Sequence, residues 1–153
     1  MSQVVDEFYK AIRTGDGAAL DAVIAEDFCL ICPTRNHVLS GIYEGKDRFF
    51  GEVTSRVFGC VDANEITFCV DHEVIVDTGE IVVAMAHNIG RALTGEDYNQ
   101  IYLHIFKVRD GQIRALIEGF DTALANQALW GGCDAVAPDA PAALSNLARF
   151  QRA

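Results

Sequence analysis

Positive charge is scarce in this chain: 12 Lys and Arg stand against 22 Asp and Glu in 153 residues, a net charge of −10. That balance repels phosphate backbones and anionic membrane surfaces, so neither nucleic acid nor membrane is an expected partner. Long apolar runs are missing too. No stretch approaches the ~18 residues of a membrane span, and residues 1–7 offer neither a basic nor an apolar leader. A cytoplasmic location is the resulting expectation. Cysteine is present but not as a scaffold: Cys29, Cys32, Cys60, Cys69 and Cys133 leave an odd one, which fits a reducing compartment. Cys29 and Cys32 match a CxxC pattern, yet they lie in an extended run before Pro33. Three residues apart on a strand they point to opposite faces, so buried thiols are expected rather than a redox pair. There is no repeat, no phosphate-binding Gly loop and no charge run. One domain of this length can bury a real core.

What is present is a run of strands from Glu65 to Thr122. Turn signals at Asp77 to Glu80, Thr94 to Asp97 and Arg109 to Gln112 each carry a central Gly, and together they predict a four-stranded antiparallel meander. In its first strand Ile66, Phe68, Val70, His72 and Val74 alternate with polar partners and face a core. With two-residue turns throughout, Val70, His87, His104 and Ile117 share one rung. Phe68, Ile89, Tyr102 and Gly119 share the next, then Ile66, Arg91, Gln100 and Asp121. A face holding two histidines, a tyrosine, an arginine and a glutamine among Val83, Met85, Phe106 and Val108 suggests a small-molecule cavity.

Ahead of the meander, Val5, Phe8, Tyr9 and Ile12 form a helical stripe that stops at Gly15, and Asp16 caps a second helix with Leu20, Val23 and Ile24. A short strand from Phe28 to Pro33 leads into a polar loop, where Arg35 and His37 read as solvated. Gly45 opens a third helix with Phe49, Phe50, Val53 and Val57 on one face and Gly59 past its end. This order is α+β.

The chain resembles the NTF2-like superfamily, and within it the SnoaL-like branch. The residues that carry the resemblance are Ser40 to Phe50, Tyr98 to Phe106, Asp110 to Ile113 and Glu118 to Asp121, and it spans about residues 3–130. It implies a cone of three N-terminal helices packed on a strongly curved, mostly antiparallel sheet that contains the meander 65–122. The domain is placed at 1–132, followed by an extension at 133–153 with a short helix carrying Leu144, Leu147 and Phe150.

The superfamily includes ketosteroid isomerases, polyketide cyclases, epoxide hydrolases, dehydratases and pocketed proteins without assigned activity, so the residues must choose. By resemblance the isomerases' base Asp falls on Cys32, their first-helix Tyr roughly on Phe8, and their second oxyanion donor on His104. Two of those three roles are lost here. His104, Glu118 and His87 are the candidate acid/base residues, because an imidazole titrates near neutrality. Tyr102, Arg91, Gln100, Cys32, Phe28, Phe50 and Phe120 are candidates for substrate binding. Strict alternation would turn Asp121 inward. The resemblance instead turns Leu116, Glu118 and Phe120 inward, with a bulge that Gly119 permits, and leaves Asp121 to cap a helix ending near Trp130. His72 reads as a hydrogen-bonded core residue, and Arg91 has Asp121 as an alternative ion-pair partner. Two histidines with Glu118 could hold a divalent ion, but with no metal motif neither metal nor other cofactor is expected.

The expected ligand is a small hydrophobic carbonyl or polycyclic compound, acted on by isomerisation, cyclisation or dehydration. The alternatives are a non-catalytic binding protein and a dimerisation module. Val82, Ala84, Ala86, Leu103 and Ile105 are assigned to the outer sheet face, where the resemblance implies a homodimer.

Overall fold

The structure is a computed structural model describing residues 3–153. Helix α1 (Gln3–Thr14) buries Val5, Phe8 and Tyr9. Large side chains of this kind contribute roughly 1.5–3 kcal/mol each, more than a helix cap's ~1 kcal/mol. Packing therefore holds α1 more than local preference does. Gly15 turns the chain at φ 67°, and the Asp16 carboxylate accepts from Ala19 N to start α2 (Gly17–Val23). Strands β1 (Ile24–Cys32) and β2 (Gly41–Glu44) follow. The third helix begins after Gly45 as Lys46–Arg48, widens to a π-turn over Phe49–Val53 and ends as Thr54–Phe58.

The meander is β3 (Val61–Asp77), β4 (Ile81–Ala92), β5 (Ile101–Arg109) and β6 (Gln112–Phe120). The sheet has six strands in the order β2-β1-β6-β5-β4-β3, with β1 parallel to β6 and every other neighbouring pair antiparallel. The four-stranded reading is thereby corrected: β1 and β2 extend the same sheet. Helices also follow the sheet as well as precede it. Asp121 accepts from Leu124 N and caps Thr122–Ala125, which runs on as a π-turn over Asn126–Trp130. Among the described residues no helix is long and apolar enough to cross a membrane.

The expected rungs fail on β4, and the cause is local. Val76 pairs with Val83 but Val74 pairs with Ala84, so Ile75 is an extra residue on β3. One extra residue reverses which side chains of the partner strand face in. Val82, Ala84, Ala86 and Asn88 are buried, whereas Met85, His87 and Ile89 are exposed. The assignment of Val82, Ala84 and Ala86 to the outer face is therefore reversed. The β4–β5 turn is also longer than two residues, with His87 opposite Ile101 and Ala84 opposite His104. The Asp110-Gly111 turn does join paired Arg109 and Gln112, with both central residues at positive φ. A slip between Lys107 and Val108 leaves Arg114 unpaired and sets Glu118 opposite His104. Glu118 thus turns inward as the resemblance implied, through a bulge at Arg114 rather than at Gly119.

The extension crosses the outer side. Ile42 N donates to Ala140 O and Asp139 N donates to Ile42 O along the β2 edge, and Arg48 holds the Asp139 carboxylate at 2.6 Å. The C-terminal helix, Leu147–Arg152, then places Phe150 on Cys29, Ile31 and Ala115. Cys29 lies in that outer cluster and Cys32 in the main core, on opposite faces of β1 as their spacing requires.

Candidate functional site

His104 sits in the middle of β5 with only 2% of its surface exposed, and both ring nitrogens are engaged. Tyr9 Oη from α1 lies 2.8 Å from Nδ1, and Glu118 Oε2 from β6 lies 2.9 Å from Nε2. Burial pushes the Tyr9 phenol far up, with Cys69 and Glu118 adding to the shift, so its hydroxyl keeps its proton. A protonated Tyr9 donates to Nδ1, and the remaining N–H at Nε2 then donates to the Glu118 carboxylate. One tautomer satisfies all three groups.

Tyr9 is held from behind by His72, stacked on its ring at 4.2 Å. His72 Nε2 meets Asp6 Oδ1 at 3.0 Å, and Arg13 reaches His72 Nδ1 at 3.3 Å while donating from Nε to Cys69 O. His72 is thus a hydrogen-bonded support, as its alternation on the first meander strand suggests, and it pairs with Ala86 on β4. On the other side of His104 the Tyr102 ring stacks at 5.3 Å. Asn88 Nδ2 donates to the Tyr102 hydroxyl at 3.1 Å, and the Tyr98 hydroxyl lies 3.4 Å away. Burial raises both phenols, Tyr98 to about 12.

Tyr102, His104 and Glu118 line a cleft of about 80 Å³ whose other walls include Phe8, Leu30, Phe49, Val53 and Phe68. Glu118 is the most exposed of the three-group relay, with 22% of its side chain accessible. Cys69 also lines the cleft. Its bulge conformation (φ 47°) is pinned by Asn88 Oδ1 accepting from its N–H, and burial raises its thiol to about 12.

The other expected positions lie elsewhere. His87 is exposed on the outer face, opposite Asp71 and Ile101, so the His87/His104 pair does not exist. Arg91 pairs with Asp97 at 3.1 Å, not with Gln100 or Asp121. Gln100 is fully buried, and its amide donates to Asp121 O while accepting from Ile101 N and Asp121 N, which fixes the exit from β6. Cys32 is a core residue whose thiol burial pushes up, with Glu118 adding to the shift. Phe28 packs on Phe49, Phe120 packs on His37 and Trp130, and Phe50 lines a neighbouring hollow. His37, read as solvated, is buried against Phe120 and Trp130, and burial lowers its pKa. Arg35 is exposed as expected. Tyr9 was missed as a polar partner because its place in an apolar helical stripe marks it as core.

A sheet wrapped on helices around one polar-ended apolar cleft is the NTF2-like architecture, and the solved structures agree. An NTF2-like protein from Burkholderia thailandensis is 26% identical, with a TM-score of 0.69 over 83% of this chain and 95% of that one. A provisional isomerase from Bacillus subtilis is 17% identical, with a TM-score of 0.69 over 88% of this chain and 94% of that one. A provisional polyketide cyclase from Pseudomonas putida is 18% identical, with a TM-score of 0.66 over 84% and 96%. The chain belongs to the SnoaL-like domain family, whose pattern it matches over residues 5–116. That span includes Tyr9 and His104 and stops just short of Glu118. No curated protein matches.

Proposed function

We propose that this protein is a proton-transfer catalyst for a small, largely apolar carbonyl compound, with Glu118 as the group that touches substrate. The observation that carries this reading is the relay Tyr9–His104–Glu118 ending in an otherwise apolar cleft. Both nitrogens of His104 are occupied, so His104 is a positioning residue and the Glu118 carboxylate is the available base. Glu118 takes a proton from the carbon beside the carbonyl, and the electron pair moves to the carbonyl oxygen. Tyr102 accepts from Asn88 and, with the Tyr98 hydroxyl oriented to donate to it as well, has its own O–H left for the developing enolate oxygen. Return of the proton from Glu118 to a different carbon completes an isomerisation. Departure of a β-hydroxyl from the same enolate as water, protonated by the proton that Glu118 took, would make the reaction a dehydration. At about 80 Å³ the cleft suits a single ring more than a polycycle, since ordinary ligand sites begin near ~300 Å³.

The test is deuterium incorporation beside the carbonyl, and the shift of 3-cyclohexenone to 2-cyclohexenone, followed by NMR in heavy water. Glu118→Gln should lower the enzymatic rate by a hundredfold or more, in line with loss of a positioned base. Exchange that is equal in wild type and Glu118→Gln would refute the catalytic reading and leave a binding protein.

We also infer that a second copy covers the outer sheet face. Val83, Met85 and Ile89 on β4 join Ile101 and Leu103 on β5 in an apolar surface bordered by Ile105, which packs against the cluster holding Phe150 of the extension; Met85, Ile89, Ile101 and Leu103 are exposed.

A further inference from the structure

We propose that the ligand of this site carries a neutral, extended apolar arm, and that Phe58 and the rim at Gly17 determine how long that arm can be. The inference rests on the proton-transfer reading for the position of the reactive head, but not for the arm. A second hollow of about 260 Å³ lies beside the cleft, lined by Ala11, Leu20, Phe50 and the turn Gly15, Asp16 and Gly17. The two spaces share Ile12, Thr54 and Phe58 as walls. Neither reaches the size of an ordinary ligand site alone, and together they pass the lower bound of roughly 300 Å³. Their chemistry divides cleanly. His104, Glu118 and Tyr102 put their hydrogen-bonding groups in the inner cleft, whereas Ala11, Ile12, Leu20, Phe50 and Phe58 wall the outer hollow with carbon, its Thr54 hydroxyl being spent on Phe50 O and its Asp16 standing at the rim.

Phe58 is the natural partition. It ends the third helix with 43% of its surface exposed, held by an edge-on contact with Phe68 at 5.1 Å. Rotating a half-exposed ring at a helix end costs little compared with moving a buried one, and it would join the two spaces. The arm is assigned as neutral because Asp16 stands at the rim and the chain carries a net charge of −10, both unfavourable to a carboxylate or phosphate tail.

The rim supplies the test. Gly17 lines the hollow's rim in the first turn of α2 without a positive φ, and a Cβ built there meets nothing within 4 Å, so Gly17→Leu adds bulk at that rim without backbone strain. Binding of 2-hexanone and 2-decanone is measured by NMR titration of wild type, Gly17→Leu and Phe58→Ala. In wild type the longer ketone should bind at least tenfold more tightly, as added buried methylenes require. Gly17→Leu should bring the two within about twofold while 2-hexanone affinity holds, and Phe58→Ala should preserve or widen the wild-type gap. Absence of a chain-length gain in wild type, absence of binding by either ketone, or a gain that survives in Gly17→Leu would overturn the proposal. Glu118-dependent exchange on a ring ketone with no chain-length gain would sink the arm and spare the proton-transfer reading. A chain-length gain without Glu118-dependent exchange would do the reverse.

Discussion

Tyr9 illustrates how one hydroxyl can set the state of a site it does not enter. It fills Nδ1 of His104, and the proton left on Nε2 is what aligns Glu118. Tyr9→Phe removes only that oxygen and leaves a buried ring nitrogen unpaired, a cost of about 1–3 kcal/mol. The expected outcome is a lowered urea midpoint together with a roughly tenfold fall in kcat and a smaller change in KM. A variant that loses stability yet keeps the wild-type kcat would show that the hydroxyl only supports packing. Of this constellation His104 was readable from alternation on β5, and Glu118 from resemblance, since strict alternation pointed to Asp121. Tyr9 was not readable: its neighbour Phe8 took the corresponding place, and side chains one position apart on a helix differ by about 100° in direction.

At the scale of elements, reading failed where the backbone departs from regularity. A single additional residue at Ile75 moved His87 from the cavity to the surface, and nothing in the composition of β3 announces it. The bulge at Arg114 worked the other way and brought Glu118 in. Helix starts, by contrast, were legible because Asp16, Gly45 and Asp121 have local physical roles that do not depend on register. β1 carries its own prediction. Burial raises the thiol of Cys29 to about 12 and that of Cys32 well above its ordinary value. A folded-state pKa above the unfolded one gives stability that is complete below the unfolded value, about 8.5, and lost as pH rises toward the folded value. The unfolding free energy from urea titration should therefore fall between pH 7 and pH 10, by about 1–2 kcal/mol for each such thiol. Cys29→Ala should make that fall shallower by one thiol's share, leaving that of Cys32; an equally steep decline in the variant would remove Cys29 as a cause.

For the molecule as a whole, the exposed apolar face of β4 and β5 calls for a cover. If a second copy supplies it, Leu103→Glu, which buries a charge at the centre of that face, should convert dimer to monomer in light scattering after gel filtration. Wild type that is monomeric at every concentration, or a variant that stays dimeric, would set the idea aside. The sheet's margins bear on the same question in another way. At β2 the backbone is already occupied by Asp139 and Ala140 of the extension. At the far margin β3 presents exposed Asp71, Glu73 and Asp77, so two such margins repel each other. Neither end of the sheet is a free template for another chain's strand. Open-ended, fibre-like growth by strand addition is thereby disfavoured at both margins of the sheet.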